Sequence, residues 1–137
     1  MIKMSTKKTA VIKKNLHGLE KQKKQILYEL LDLKDLVRGS LATVYTKCGK
    51  DNCRCKKSKG HPHSRISWSE KSQGYTRKVP KDEIVWCLET TENYRTFRSL
   101  RHQLKILEAH TKNMLDDLEN ILVDGTRKNK SFLWTKR

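Results

Sequence analysis

The chain has 137 residues, of which 35% are hydrophobic and 34% are charged, and its formal net charge is +16. This composition leaves no room for a large apolar core, and small, core-poor chains are usually stabilised by metals, disulfides or oligomerisation. No run of about 18 apolar residues and no apolar segment near Met1 occurs, which predicts a cytoplasmic protein without a membrane span or secretion signal. A protein this basic is expected to bind an anionic polymer.

The positive charge is concentrated in three parts of the chain. Residues 1–25 carry +7, residues 47–81 carry +9 and residues 125–137 carry +5, whereas residues 26–46 carry −1 and residues 82–124 carry −4. The two ends and the middle of the chain are therefore the expected sites of contact with an anionic partner.

Residues 1–15 are rich in Lys and Thr, which predicts a disordered basic arm or a frayed helix start. This arm would either contact phosphate or only keep the chain soluble. Residues 16–38 are predicted to form a helix, because apolar side chains recur in alternating steps of three and four residues, as in a coiled-coil seam. Gly39 ends this helix. The seam positions are Leu16, Leu19, Lys23, Ile26, Leu30, Leu33 and Val37.

Residues 40–79 are predicted to form a small antiparallel β-module. β-Branched and aromatic side chains alternate with polar ones in 40–47, 64–69 and 75–79, and each of these segments is read as a short strand. Residues 70–74 form a polar turn between the last two. Because such a small sheet is marginal alone, we expect a metal at one end and helices on one face to stabilise it.

Three of the four cysteines lie within eight residues, between the first two strands. Cys48, Cys53 and Cys55 are followed by two histidines, His61 and His63. Thiolate sulfur and imidazole nitrogen are ligands that Zn²⁺ prefers, and a structural site needs four of them in a tetrahedron. The pattern therefore predicts a structural zinc site with three cysteines and one of the two histidines.

Turn-forming residues within this segment support the zinc prediction. The Cys-x-Cys spacing requires a tight local turn, which Gly49 and the Asp51-Asn52 pair can supply because they tolerate left-handed backbone angles. A reduced, solvated loop and a disulfide are the alternatives, and the disulfide is disfavoured in a cytosolic protein. Cys87 lies among apolar residues and is predicted to be a buried free thiol.

Cations lie beside aromatic residues in and around the β-module. This pattern suits phosphate contact together with base stacking or insertion into a groove, so the exposed side of the sheet is predicted to bind nucleic acid. In the alternative, the aromatic residues are the sheet's own core and the cations are only solvated. The residues predicted to contact nucleic acid are Lys47, Lys50, Arg54, Lys56, Lys57, Arg65, Trp68, Lys71, Tyr75, Arg77, Lys78, Arg95 and Arg98.

Residues 80–123 are predicted to be helical, beginning with Pro80 in a first turn that suits proline. The Glu89-Thr90-Thr91-Glu92 stretch predicts a kink or a restart with a Thr cap. A second seam follows, and Asp124-Gly125 is predicted to stop the helix. Residues 125–137 then form a basic tail, read as disordered, as a docking peptide or as a second nucleic-acid arm. The second seam comprises Phe97, Leu100, Leu104, Leu107, Thr111, Met114, Leu118 and Ile121.

These elements predict a mainly α, α+β protein in which two long coiled-coil-like helices flank a small antiparallel zinc-stabilised sheet. Residues 16–124 would form a single domain between the basic arm and the basic tail. The second helix is longer than the first, and the first carries a second apolar stripe. Both features predict a homodimer formed through the helices.

Several motifs resemble a family of short, uncharacterised prokaryotic proteins that are often encoded beside transposases. The resemblance covers about residues 36–107, and its most specific part is the Cys-Gly-Lys-x-x-Cys-x-Cys core. It implies a zinc-stabilised protein linked to a mobile element, and no known reaction. The chain departs from the family pattern at Gly60-His61-Pro62-His63, so the fourth ligand is His61 or His63, with His61 preferred. The shared motifs are Arg38-Gly39-Ser40-Leu41, Lys47-Cys48-Gly49-Lys50, Cys53-Arg54-Cys55, Ser67-Trp68, Arg77-Lys78-Val79-Pro80 and Asn93-Tyr94-Arg95-x-Phe97-Arg98.

Three classes of function follow. The favoured one is a DNA-binding accessory or regulator of a mobile element, with RNA binding in a ribonucleoprotein as its variant. The second is an interaction module whose helices recruit a larger enzyme such as a transposase. The third is an enzyme, which is disfavoured because four protein ligands would close the zinc site and Asp51 and Glu70 are the only acids in the module.

Overall fold

The computed structural model of the protein describes the backbone of residues 2–134 and the side chains of residues 6–133. It is a mainly helical α+β structure with a three-stranded antiparallel sheet. Short 3₁₀ turns lie at Arg54–Lys57, Lys81–Glu83 and Ser131–Trp134. The main elements are α1 (Ile2–Asp32), β1 (Ser40–Thr46), β2 (His61–Glu70), β3 (Gln73–Lys78) and α2 (Ile84–Asn129).

The described chain divides into two compact units. The helical unit takes in the chain up to Asp32 and the chain from Leu100 onward, and the sheet unit is Leu33–Ser99. Neither long helix is apolar enough, within residues 2–134, to cross a membrane.

Helix α1 is longer at its N-terminus than predicted. The seam positions from Leu16 to Leu30 are half-buried or buried, with Ile26 among the core residues. Thr9 and Ile12 are half-buried and continue the same spacing toward the N-terminus, and the helix begins at Ile2. Of the two alternatives predicted for residues 1–15, the disordered arm disagrees with the described residues and the helix start agrees with them, because the amphipathic spacing continues through Thr9 and Ile12. Met1 lies outside the described residues.

Helix α1 ends at Asp32, whereas the prediction extended it to residue 38. The segment that follows bonds to α2 instead of continuing the helix. The Val37 amide donates to the Thr90 carbonyl (3.1 Å), and the Asn93 side-chain amide donates to the Asp35 carbonyl (3.2 Å). Backbone groups that bond to another element are no longer available for helical bonds, so this end of the helix was set by tertiary contacts.

The sheet has the order β1-β2-β3, and both pairings are antiparallel. β2 begins at His61, three residues before the predicted start, because it pairs with β1 as far as Thr46 opposite His61. The turn between β2 and β3 is formed by Lys71 and Ser72, both with positive φ (50° and 68°). Such a two-residue turn matches the twist of paired antiparallel strands.

Helix α2 runs without interruption through both predicted breaks. Thr90 and Thr91 are buried, and their hydroxyls donate to the carbonyls of Trp86 (2.8 Å) and Cys87 (2.7 Å) one turn earlier. These hydroxyls are satisfied within the helix, so they do not cap a new one. The predicted stop at Asp124-Gly125 is also wrong, because the helix continues to Asn129. A glycine inside a helix costs only about 1 kcal/mol relative to alanine, which the rest of the helix tolerates.

The seam predicted on α2 lies on one half-buried face. Each of its positions is half-buried or buried, and Leu100 belongs to the core. The tail predicted for 125–137 therefore begins inside α2 and continues into the 3₁₀ turn at Ser131–Trp134, where Phe132 and Leu133 are exposed. Residues 135–137 lie outside the described part of the chain.

The close approach of Gly39 to β2 yields a stability prediction. A Cβ at this position would lie 2.8 Å from the Ser67 carbonyl oxygen, a backbone atom that cannot move aside easily. We expect Gly39→Ala to lower the free energy of unfolding by about 1–3 kcal/mol, the usual cost of overpacking. Urea unfolding followed by circular dichroism measures it. Gly74→Ala is the matched control, because a Cβ there meets nothing within 4 Å. Equal stability of the two variants would contradict the prediction.

Candidate metal centre

Four side chains of the β1–β2 connection converge on one point. The ligand atoms of Cys48, Cys53, Cys55 and His61 all lie within 4.8 Å of one another. The Cys48 and Cys55 sulfurs are 3.5 Å apart, and the Cys53 sulfur is 3.1 Å from His61 Nε2. Metal–sulfur bonds of about 2.3 Å in a tetrahedron place two sulfurs about 3.8 Å apart. The cluster is therefore close enough to hold one metal ion and is consistent with zinc.

Strand pairing brings the first and last of these residues together. β1 ends at Thr46, two residues before Cys48, and Thr46 pairs with His61, the first residue of β2. The loop between them turns at Gly49, where φ is +78°. The Cys53 amide donates to the Lys50 carbonyl (3.3 Å), and a 3₁₀ turn at Arg54–Lys57 carries Cys55. Local turns thus position Cys53 and Cys55, and the pairing of the strand ends positions Cys48, just beyond β1, and His61, at the start of β2.

Gly60 contributes to this geometry and was not identified from the sequence. Its φ is +113°, and a Cβ there would lie 2.5 Å from the Thr46 carbonyl carbon. Only glycine permits this backbone angle so close to another backbone. The sequence did contain a signal for this role, namely a glycine directly before His61. The backbone angle of the residue before a ligand helps to set the direction of the ligand side chain.

The structure places His61, and not His63, in the cluster. Both histidines lie on the same face of β2, two residues apart, which corresponds to about 6.6 Å along a strand. His63 Nδ1 lies 3.4 Å from the Thr46 hydroxyl, so its ring is engaged elsewhere. The choice of His61 as the fourth member agrees with this arrangement.

The protonation of the cysteines differs within the cluster. Hydrogen bonding from the Lys50 backbone, together with Cys55 and His61, lowers the pKa of Cys48 to about 6. The Cys48 amide lowers the pKa of Cys55, but burial and the neighbouring sulfurs outweigh it, so the pKa of Cys55 is raised overall. Since the thiolate is the form that binds a metal, Cys48 is more readily available as a ligand than Cys55 at neutral pH.

Cys87 lies outside the cluster. It is a buried free thiol, as predicted, and burial together with the nearby Glu83 carboxylate raises its pKa. A buried thiol with a raised pKa is unreactive, so this residue packs in the core and has no part in the site.

Several of the predicted nucleic-acid contacts are cations of the β1–β2 connection, residues 47–60, which we call the metal loop. Lys47 Nζ donates to the Lys56 carbonyl (3.3 Å), and Lys56 Nζ forms an ion pair with Asp51 (2.6 Å). The remaining cations predicted to bind nucleic acid in this loop are exposed, namely Lys50, Arg54 and Lys57.

The sheet divides the other predicted contact residues between its two faces. Paired residues share a face, and successive residues of a strand alternate. Arg65 pairs with Lys78 on one face, whereas Trp68 pairs with Tyr75 on the other. Arg77 lies on the face of the aromatic pair, opposite Ile66. These cations and aromatic residues therefore do not all lie on one surface, because the pleat separates neighbours in the sequence. Arg77 shares a face with the aromatic pair, whereas Arg65 and Lys78 lie on the other face.

The two faces differ in chemistry. The polar face carries mostly small and polar side chains, and the apolar face carries the large apolar ones. Trp68 and Tyr75 stack on the apolar face, with ring centroids 5.5 Å apart and planes inclined by 17°. The polar face comprises Ser40, Ala42, Val44, Thr46, His61, His63, Arg65, Ser67, Ser69, Gly74, Thr76 and Lys78. The apolar face comprises Leu41, Thr43, Tyr45, Pro62, Ser64, Ile66, Trp68, Glu70, Gln73, Tyr75 and Arg77.

The remaining predicted contacts lie in the β2–β3 turn and on α2. Lys71 is exposed at the turn. The Arg95 guanidinium bonds to the Glu92 carboxylate (3.2 Å), and that of Arg98 lies over the Tyr94 ring at 5.9 Å. Arg95 and Arg98 are thus both engaged by neighbours on the helix itself.

The chain is thus a small, basic, mainly helical α+β protein. Its candidate metal centre is a Cys₃His cluster at the end of a small sheet. The chain belongs to the family described as a domain of unknown function, DUF6788, whose model matches residues 16–88, more than half of its length. Comparison with curated proteins finds no match, and comparison with solved structures finds none.

The assignment of the fourth ligand leads to a prediction about metal affinity. We expect His61→Ala to weaken zinc binding by more than about 100-fold, because losing a direct ligand costs more than losing one of its supporting hydrogen bonds. His63→Ala is the matched control and is expected to retain wild-type affinity. Competition with a chromophoric chelator measures both. A larger loss in His63→Ala would show that the cluster uses the other ring.

Proposed function

We propose that this protein is a zinc-stabilised, basic nucleic-acid-binding protein, and that it acts as a DNA-binding accessory or regulator of a mobile element. The observation that carries the proposal is the position of the Cys₃His cluster inside residues 47–81, which carry the largest net positive charge of the three basic segments. Residues 47–81 combine the four ligand side chains with eleven Lys and Arg against two acids.

Zinc is the metal that best suits this ligand set. Three thiolates and one imidazole in a tetrahedron are typical of structural zinc, and soft sulfur ligands disfavour magnesium and calcium. Four protein ligands leave no open position for a substrate or a reactive water, which argues against a catalytic centre. Three thiolates with one Zn²⁺ carry about one negative charge, so the segment stays strongly positive after metal binding.

DNA is favoured over RNA by the resemblance to proteins encoded beside transposases, and by no particular residue. The same resemblance suggests a transposase or another mobile-element protein as a partner. RNA binding within a ribonucleoprotein is the variant of this proposal. It is distinguished by comparing duplex DNA with RNA of the same length.

A second candidate function is protein interaction through coiled-coil-like helices. Within the helical unit, Leu27, Tyr28 and Leu31 lie together on α1 and are exposed, Leu31 by 80%. Residues three and four apart are neighbours on a helix, so these three side chains form an apolar patch. A second copy of the chain or a larger enzyme would cover it.

The proposed binding predicts a steep dependence on salt. We expect wild-type protein with one zinc per chain to bind a labelled duplex DNA in fluorescence anisotropy, losing roughly 100-fold or more of its affinity between 50 and 200 mM salt. Cys53→Ser is expected to lose both zinc and binding, because the sheet is no longer held at the cluster. Cys87→Ser is the matched control and is expected to keep both. Zinc binding without DNA binding at low salt would contradict the proposal. It would indicate that the cluster is only structural and that the helices carry the function.

The exposed patch on α1 predicts a dimer in solution. We expect wild-type protein to sediment as a dimer and the double variant Leu27→Glu, Leu31→Glu to sediment as a monomer, because the buried carboxylates would be unpaired. Gln22→Glu adds a charge at an exposed position of the same helix and serves as the control. A monomeric wild-type protein would contradict the predicted dimer and would indicate that a different protein covers this apolar patch.

A further inference from the structure

We infer that the phosphates of nucleic acid bind to the polar face of the sheet, at the cross-strand pair Arg65–Lys78, and not to the face that carries the aromatic residues. This inference rests on the proposed function and names the surface that carries it out. It assigns a contact site by the register of the strands, which the sequence motifs did not resolve.

Two cations that face each other across strands are the first observation. Arg65 and Lys78 are directly paired in the β2–β3 register. Side chains in such a pair have Cβ atoms about 5 Å apart, and like charges there destabilise the sheet. No ion pair engages either residue within the part of the chain that the structure describes. The repulsion is therefore uncompensated, and a bound anion would relieve it.

The hydrogen bonding of Arg65 is the second observation. Its Nε is buried and has no hydrogen-bond partner among the described residues. Buried polar atoms are nearly always paired, because an unpaired donor loses its bond to water without replacement. Turning the guanidinium toward a phosphate therefore breaks no internal bond at Nε, and an Arg–phosphate pair can form two parallel hydrogen bonds.

The rest of the polar face suits an extended anion. None of its twelve residues is acidic, and most are small or hydroxyl-bearing. Ser67 and Thr76 pair there through their hydroxyls, 3.2 Å apart. The His61 end of this face lies at the candidate metal centre, whose loop carries further exposed cations. A phosphate chain could thus follow the face from Arg65 to the metal loop without meeting a carboxylate of the sheet.

The apolar face is less suited to the same ligand. Pro80 and Ile84, which lead into α2, line a groove with Thr43, Pro62 and Ser64 of that face. His63 and Lys78 of the polar face line the same groove, so it lies at the edge between the two faces. Gly39 approaches the apolar face, since a Cβ there would lie 3.5 Å from the Trp68 Cβ. The end of the α1–β1 connection therefore lies against the apolar face at Ile66 and Trp68. Trp68 and Tyr75 stack on each other as a cross-strand pair, which accounts for their positions without a ligand.

The chain provides a matched control for this site. Arg77 and Lys78 are adjacent in β3 and are both exposed, but they lie on opposite faces. Arg77→Gln and Lys78→Gln each remove one positive charge, so a general effect of net charge is the same in both. Lys78→Gln is preferred to a change at Arg65 because the Arg65 side chain is half-buried and also packs on the sheet.

The test measures binding of zinc-loaded full-length protein to a fluorescein-labelled duplex DNA over a range of salt concentrations. We expect Lys78→Gln and Arg65→Gln each to weaken binding roughly threefold to tenfold and to reduce the slope of log affinity against log salt by about 0.9. Arg77→Gln is expected to change the affinity by less than about twofold and to leave the slope of log affinity against log salt unchanged. Equal effects of Arg77→Gln and Lys78→Gln would overturn the site while leaving the proposed function intact. Absence of wild-type binding at low salt would overturn both.

A second readout does not depend on nucleic acid. Removing one member of a like-charge pair should raise the thermal midpoint of the zinc-loaded protein at low salt by about 1–5 °C for Lys78→Gln, and not for Arg77→Gln. An unchanged or lowered thermal midpoint for Lys78→Gln would overturn the claim that repulsion between Arg65 and Lys78 destabilises the sheet and would be relieved by a bound anion.

Discussion

The pairing of Thr46 with His61 is the interaction on which the metal cluster depends. It closes the loop that begins with Cys48 and sets the outer ligands side by side, while Gly60 allows the backbones to approach. Closing a loop of this length costs chain entropy, and a sheet of three short strands contributes little stability of its own. The cluster and the sheet therefore support each other, since the ligands meet only when the strands pair, and a bound metal holds the ends of the strands together.

The parts of the structure that follow from local periodicity were predictable from the sequence. The half-buried seams on α1 and α2 occupy positions that the three-and-four spacing indicated. The three cysteines of the cluster were identifiable from residue type and clustering, and the fourth member was narrowed to His61 or His63. The helix ends were not predictable. Asp32 ends α1 because Val37 bonds to Thr90, far away in the sequence, and Gly125 does not end α2 although glycine often does so. Tertiary contacts override local propensity at such points.

The faces of the sheet were the harder problem, because a shift of one residue exchanges them. Arg77 and Lys78 look equivalent in the sequence, yet the register sends them to opposite sides. The register in turn depends on the turn at Lys71 and Ser72, two residues that rarely adopt positive φ. Gly74, the residue expected in the turn, lies in β3 instead. The grouping of cations by face thus became visible only when the strand pairs were known.

The proposed function implies that metal binding and nucleic-acid binding are linked without any contact between the two ligands. The pair Arg65–Lys78 exists only in the folded sheet, and β2, which carries Arg65, also begins with His61 of the Cys₃His cluster. A ligand that binds only the folded state stabilises that state, so zinc bound at one end of β2 would favour the phosphate surface proposed along its length. Thermodynamic linkage is reciprocal, so nucleic acid bound to the polar face would in turn strengthen metal binding at the cluster. Repulsion between Arg65 and Lys78 destabilises the sheet when no anion is bound. On this proposal, the chain without metal and without nucleic acid is the least stable form of the protein, and each ligand would make the binding of the other more favourable.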